Sequence, residues 1–152
     1  MIFAYRVVKE KHRKTAFSGF GARVAGGRWN RVGEPVVYTS SSLALAALET
    51  FVHLVEEAKS IQFVFFEVRI PDGVPVTRCE RTPKGWRMAP AAEASIRYGS
   101  RWFHQQETAV LDIPSVLIPI ERNYVLSPSH PDFPRIEISR PRPFTFDTGL
   151  WK

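Results

Sequence analysis

The chain has 152 residues, 44% hydrophobic and 24% charged, which are proportions of an ordinary globular protein with one domain and a sizeable core. It carries 21 Lys and Arg against 15 Asp and Glu, for a net charge of +6. That charge favours anionic ligands or acidic partners, and no apolar run approaches the roughly 20 residues of a transmembrane helix.

The cysteine content and the first residues predict a cytoplasmic protein. Cys79 is the single cysteine, so an internal disulfide is excluded. The N-terminal residues MIFAYRVVKEKHRK place their charges after the apolar positions, the reverse of a secretory signal. No Cys/His cluster has zinc spacing, so we expect no metal. The basic residues lack the aromatic interleaving of an RNA-binding sheet, so we expect no direct nucleic-acid binding.

Residues 2–8 alternate weakly between apolar and polar positions and predict a first strand. Arg6 projects from this strand between apolar neighbours, and its simplest role is that of a solvated or salt-bridged surface residue. The glycines of residues 17–21 predict a loop.

Residues 26–49 combine a glycine turn, a short strand and a capped helix. Gly26 and Gly27 permit positive φ or a close approach of the backbone to a ligand. Residues 36–38 are β-branched or aromatic and predict a strand, and the hydroxyl residues at 39–42 offer N-caps for a helix over residues 43–58.

Four apolar residues recur at helical spacing in this segment, and we expect them to face the core. They are Leu45, Leu48, Val52 and Val55. Glu49 then lies at the edge of the apolar face, with His53 one turn further along and within its reach.

Arg28, Tyr38 and Glu49 are the side chains of this stretch that can carry chemistry. A carboxylate at the edge of a core must be paired or face a cleft, because burying it alone costs several kcal/mol. Arg28 is the nearest candidate partner of Glu49 in sequence. A structural Arg28–Glu49 ion pair and a functional site both remain open, since ionisable pairs mark sites only probabilistically.

The remaining segments predict mainly strands. Residues 61–70 form a strand within the sheet, and residues 74–79, 109–113, 115–120, 121–126, 136–138 and 144–146 form shorter ones. Residues 91–106 predict a second long helix, in which Gly99 and Trp102 serve packing. Strands outnumber helices, so the class is α+β with a mostly antiparallel, strongly bent sheet.

Two long blocks resemble the RES domain, a family of bacterial toxins named for its Arg, Glu and Ser. They are FSGFGARVAGGRWNRVGEPVVYTSSSLALAALETFVHL and IPSVLIPIERNYVLSPSHPDF. With Tyr5-Arg6-Val7 and Phe144-Thr145-Phe146-Asp147, the resemblance covers nearly the whole chain. It implies a single domain over residues 1–152, with a compact bent antiparallel β core flanked by helices, similar to ADP-ribosyltransferases.

The resemblance also implies a function. Such toxins consume NAD+, here by cleaving the nicotinamide N-glycosidic bond through hydrolysis or phosphorolysis, so NAD+ is a substrate and no cofactor is expected. The alternatives are ADP-ribosyl transfer to a protein and, in another class, a non-enzymatic protein- or RNA-binding module. The implied partner is an Xre-type helix-turn-helix antitoxin in a hetero-oligomer, with no membrane involved.

Eight residues are candidates for the site. Arg28, Tyr38 and Glu49 are the implied catalytic residues. The candidate substrate-binding residues are Arg6, Gly27, Ser115, His53 and Ser127, of which His53 is chosen for its helical spacing from Glu49. Ser115 and Ser127 compete for the family's named Ser, and Ser115 has the alternative role of a hydroxyl that satisfies nearby backbone. Asn123 and Tyr124 match an N-Y motif of the family, with no role assigned.

Overall fold

The computed structural model describes residues 1–151, apart from the side chains of residues 56 and 57, and this part of the chain contains one sheet of eight strands. The strands are β1 (Ile2–Lys9), β2 (Val37–Ser40), β3 (Phe63–Ile70), β4 (Val76–Arg78), β5 (Val110–Pro114), β6 (Arg122–Leu126), β7 (Glu137–Ile138) and β8 (Arg142–Phe144). Their order is β4-β5-β6-β2-β1-β3-β7, and β8 also pairs with β3.

Three α-helices and four 3-10 segments accompany the sheet. The helices are α1 (Phe20–Ala25), α2 (Leu43–Phe51) and α3 (Glu93–Gln105). The 3-10 segments are Glu10–Thr15, Glu56–Ser60, Phe133–Arg135 and Thr148–Trp151. Within residues 1–151 none of these helices has the length and hydrophobicity that a membrane crossing needs.

The predicted α+β class with a bent, mostly antiparallel sheet is confirmed. Each described strand pairing is antiparallel except the one between β4 and β5. Those two strands are parallel because the chain between them returns through α3, and a parallel pair needs such a crossover.

The middle of the sheet brings distant parts of the chain together. Tyr5 of β1 lies opposite Ser40 of β2, and Ser40 lies opposite Asn123 of β6. Asn123 in turn lies opposite Ile113 of β5. One end of β2 therefore collects side chains from β1, β5 and β6 beside α2.

Helix α2 begins as predicted but ends early and buries a different face. Ser42 is its N-cap and accepts a hydrogen bond from the Leu45 amide (3.0 Å). Of the four residues expected in the core, Leu45 is buried, whereas Leu48, Val52 and Val55 are exposed. That part of the prediction was wrong.

The buried face of α2 is set by small and aromatic residues instead. Ala46 packs with Val7 of β1, Phe63 of β3 and Phe146, and Phe51 lies against this cluster. Ala46 allows the helix to approach the sheet closely, so the helix is rotated relative to the predicted stripe. The helix stops at Phe51, and the strand-favouring Val52 and Val55 follow it outside the core.

The predicted strand over residues 115–120 is a loop. The hydroxyl of Ser115 accepts hydrogen bonds from the amides of Leu117 and Ile118 (both 3.1 Å), which curls the backbone back on itself. Pro119 also removes a donor that a ladder would need.

Candidate active site

A cleft of about 1280 Å³ opens between α1, the Gly26–Asn30 turn, α2 and the loop after β5. This volume exceeds the roughly 300–1,000 Å³ of ordinary small-molecule sites and suits an extended ligand. Six of the eight predicted site residues line it: Arg6, Gly27, Arg28, Tyr38, Glu49 and His53. Ser115 and Ser127 do not.

Glu49 is held by two donors on one oxygen. Its Oε1 accepts hydrogen bonds from Ser115 Oγ (2.6 Å) and from Asn123 Nδ2 (2.9 Å). Among residues 1–151, no group donates to Oε2, and the side chain is half-buried in the cleft wall. The carboxylate is therefore oriented through one oxygen and leaves the other available to a ligand.

Ser115 lies directly behind this carboxylate and is fully buried. Since its oxygen already accepts from the Leu117 and Ile118 amides, its proton points to Glu49. The hydroxyl thus satisfies nearby backbone and also orients Glu49. Direct contact with a substrate, the predicted role, is not available to a buried hydroxyl used in this way.

Arg28 is oriented by backbone carbonyls. Its Nη1 donates to the carbonyl oxygens of Trp86 (2.7 Å) and Met88 (2.8 Å). Within the described part of the chain it forms no ion pair with Glu49, so the structural Arg28–Glu49 pair is not present. Neither Nε nor Nη2 has a hydrogen bond to any group that the structure describes, and both remain available to an anion.

Arg6 is a second cation of the cleft, and none of the carboxylates that the structure describes contacts it. Its Nε donates to the carbonyl oxygen of Ala16 (2.7 Å) and its Nη1 to that of Tyr38 (2.9 Å). Burial lowers the pKa of Arg6 to about 10, so the guanidinium is still charged at neutral pH. A surface salt bridge of Arg6 is thus not seen among the described side chains, and Arg6 and Arg28 both bring positive charge to the cleft that holds Glu49.

Tyr38 uses its hydroxyl to hold the glycine turn. The hydroxyl donates to Asn30 Oδ1 (2.7 Å) and accepts from the Trp29 amide (3.0 Å). Burial raises the pKa of Tyr38, so the phenol stays protonated. A Cβ on Gly27 would come within 2.8 Å of that hydroxyl, so the absence of a side chain there permits the contact.

Helix α3 supports the same turn from behind. A Cβ on Gly99 would lie 1.7 Å from the Trp29 carbonyl oxygen, so only glycine allows this helix to approach. The buried Glu34 accepts hydrogen bonds from the Arg31 amide (2.7 Å) and from Ser100 Oγ (2.5 Å), and its Oε2 lies 2.8 Å from His104 Nε2. Sequence analysis missed Glu34, because its side-chain partners Ser100 and His104 lie on α3, 66 residues or more away from it.

Two predicted binding residues lie apart from Glu49. His53 is exposed on the cleft wall, and within residues 1–151 it makes no hydrogen bond to Glu49, because α2 has ended at Phe51. Ser127 follows β6 at the end opposite Asn123, where it is buried and its Oγ lies 3.4 Å from Ser129 Oγ. A binding role for Ser127 therefore has no support from its position.

Comparisons with known proteins point to one family. A sequence profile of the RES domain matches residues 3–147. The Prs ADP-ribosylating toxin of Sphingobium sp. (strain YBL2) is 42% identical over 137 residues, which is 88% of this chain and 85% of that protein. The Toxin Res of Yersinia enterocolitica serotype O:8 / biotype 1B is 34% identical over 148 residues, which is 96% of this chain and 97% of that protein.

The fold also matches a solved structure. The crystal structure of the M. tuberculosis MbcT-MbcA toxin-antitoxin complex superposes with a TM-score of 0.74 at 16% identity. The match covers 99% of this chain and 86% of the other. At that identity the likeness establishes the shared fold.

Proposed function

This chain belongs to the RES domain family, and we propose that it is the toxin of a toxin–antitoxin pair that consumes NAD+. The reaction is cleavage of the nicotinamide N-glycosidic bond, with water or phosphate as the acceptor. One observation carries the proposal: a fixed carboxylate, Glu49, offers one oxygen to a cleft in which none of the carboxylates that the structure describes contacts Arg6 or Arg28.

Cleavage of the nicotinamide N-glycosidic bond needs a carboxylate near the ribose and does not need a strong general acid. When the C–N bond breaks, its electron pair returns to the pyridinium nitrogen and nicotinamide leaves neutral, so no proton is needed. The ribose becomes oxocarbenium-like, and a negative carboxylate at the ribose stabilises that charge. The acceptor oxygen then bonds to the same carbon; water loses a proton to solvent in this step, whereas an ionised phosphate oxygen has none to lose. Glu49 Oε2 supplies the carboxylate oxygen.

The two guanidinium groups suit the diphosphate of the dinucleotide. Phosphate oxygens accept charge-assisted hydrogen bonds from arginine, which are stronger than those between neutral groups. Arg28 keeps Nε and Nη2 for this purpose while its Nη1 holds two carbonyls. Arg6 adds positive charge from β1. A neutral nucleoside would leave both cations without a counter-charge.

In this proposal Tyr38 and Gly27 form part of the surface that the ligand contacts. Because the Tyr38 hydroxyl is already used by Asn30 and Trp29, stacking of the ring on the nicotinamide side is the role that its position supports. Gly27 keeps the backbone of the turn close to the ligand. His53 is exposed and lines the same cleft, which supports a contact with the ligand.

A second candidate is transfer of ADP-ribose to a protein. It is favoured by the 42% identity to a protein described as a Prs ADP-ribosylating toxin. The same cleft would serve both reactions, since the bond that breaks and the charge that develops are identical. They differ only in whether water, phosphate or a protein side chain attacks the ribose carbon.

The partner in this proposal is an antitoxin, because the solved structure that this chain resembles in fold is part of a toxin-antitoxin complex. An Xre-type helix-turn-helix protein that covers the mouth of the cleft near Arg28 and Tyr38 would exclude NAD+. Both would act in the cytoplasm, where NAD+ is available. Calorimetry on the co-purified pair should detect no NAD+ binding, and binding should return once the partner is removed.

Expression in bacteria tests the proposed function. The wild-type protein should stop growth while cellular NAD+ falls, and Glu49→Gln should relieve both effects because it keeps the shape and removes the charge. Glu107→Gln is the matched control, since Glu107 is exposed and lies outside the cleft; it should remain toxic. Growth arrest with constant NAD+ would favour protein modification, and toxicity that survives Glu49→Gln would favour a non-enzymatic binder.

A further inference from the structure

The contacts behind Glu49 identify a residue to which no role has been assigned. We propose that Asn123 is a positioning residue for Glu49: with Ser115 it fixes Oε1, so that Oε2 faces the ribose of the substrate. The inference rests on the proposed function of Glu49 and deepens it.

The orientation of the Asn123 amide is determined by its partner. Glu49 Oε1 accepts from Nδ2 at 2.9 Å, and turning the amide over would place two acceptor oxygens against each other. In this orientation the Asn123 Oδ1 is buried and has no hydrogen-bond partner among residues 1–151. An unpaired buried acceptor costs about 1–3 kcal/mol. The fold therefore leaves the Oδ1 of Asn123 unpaired while its Nδ2 holds the carboxylate of Glu49.

The two donors come from strands that the sheet aligns. Asn123 lies on β6 opposite Ile113 of β5, and Ser115 follows β5 directly. Both hydrogen bonds reach α2 from the sheet and converge on one oxygen at 2.6 and 2.9 Å. Two donors on a single oxygen restrict rotation of the carboxylate plane. An interaction that only anchored α2 to the sheet could use either oxygen and would not need to leave one of them open toward the cleft.

Asn123→Asp turns this contact into a pair of carboxyl groups. Two carboxylates in contact share a proton, because protonating one removes the repulsion between them. If turnover requires ionised Glu49, the acidic limb of the kcat–pH profile should move to higher pH by about one unit or more. Asn123→Asp would then lose activity, as the pH falls, at a pH where the wild-type protein still turns over, and would regain it as the pH rises through the shifted limb.

Other charged or titratable groups face the same cleft. They are Tyr5, Arg6, Lys9, Arg28, Arg31, Tyr38 and His53. Of these, His53 has the one side chain that ordinarily titrates between pH 5 and 8. The shift should therefore persist in the double variant Asn123→Asp/His53→Gln, because its origin is the pair at positions 49 and 123.

The test compares kcat and KM for NAD+ across pH in the wild-type, Asn123→Asp and Asn123→Ala proteins, with a thermal melt for each. Asn123→Ala should lower kcat about tenfold and change KM less than about twofold, since a mispositioned catalytic group weakens the transition state more than substrate binding. This variant decides the matter if Asn123→Asp does not fold.

Each outcome has a distinct meaning. Unchanged kcat in Asn123→Ala, or an acidic limb in folded Asn123→Asp that coincides with the wild-type limb, would overturn the positioning role while NAD+ cleavage stands. Wild-type protein that leaves NAD+ intact with water, phosphate or protein acceptors would overturn the proposed function and this inference together.

Discussion

Replacing Tyr38 with phenylalanine should destabilise the fold as well as the site. The variant leaves the Trp29 amide and Asn30 Oδ1 without their partner, at present 3.0 and 2.7 Å from the hydroxyl. Each unpaired buried group costs about 1–3 kcal/mol, so we expect the free energy of unfolding to fall by about 2–4 kcal/mol. For a domain of this size that is a decrease in Tm of roughly 5–15 °C.

Urea denaturation and activity on NAD+ should be measured on the same preparations. The turn that carries Arg28 loosens in Tyr38→Phe, so KM should rise together with the loss of stability. Tyr5→Phe is the matched control, because the Tyr5 hydroxyl makes one longer bond of 3.3 Å to Glu67; its stability should change by less than about 0.5 kcal/mol. A Tyr38→Phe protein as stable as wild type would refute the anchoring role of the hydroxyl.

The remaining predictions concern three other contacts. Arg28→Lys should reduce kcat/KM at least about tenfold, which corresponds to roughly 1.4 kcal/mol. The reason is that one ammonium group cannot hold two carbonyls and also present a planar fork to a phosphate. Wild-type kinetics would make Arg28 a purely structural residue. Gly99→Ala should prevent stable folding, since its Cβ would lie 1.7 Å from the Trp29 carbonyl oxygen. The control is Gly21→Ala, whose Cβ would have no atom within 4 Å, and this variant should melt at or slightly above the wild-type temperature. Ser115→Ala should lower kcat about tenfold through Glu49 and Ser127→Ala should not; equal losses in kinetic assays would contradict the assignment of Ser115.

The local sequence pattern predicted where helices and strands begin better than it predicted how they pack. The N-cap at Ser42 and the strand of residues 2–8 follow from short-range chemistry, and both are present. The buried face of α2 was mispredicted because periodicity treats alanine as a weak signal. Ala46 lies on Val7 and Phe63 because it is small, and Leu48 is left exposed.

The candidate site could be predicted in part for a similar reason. Arg28, Tyr38 and Glu49 lie within one stretch of the sequence, and all three line the cleft. Their partners are far away in the chain: Trp86 is 58 residues from Arg28, and Asn123 is 74 residues from Glu49. Such contacts depend on strand order, which the sequence pattern of a single strand does not contain.

The most direct measurement is mass spectrometry of the products after purified protein is incubated with NAD+, in buffer, with phosphate and with cell extract. We expect nicotinamide release in at least one of the three, with ADP-ribose, its phosphate or an ADP-ribosylated protein as the second product. Folded Glu49→Gln should release none above background, and Glu107→Gln should match the wild type. Intact NAD+ with all three acceptors, or release that is equal in Glu49→Gln, would contradict NAD+ cleavage at this site.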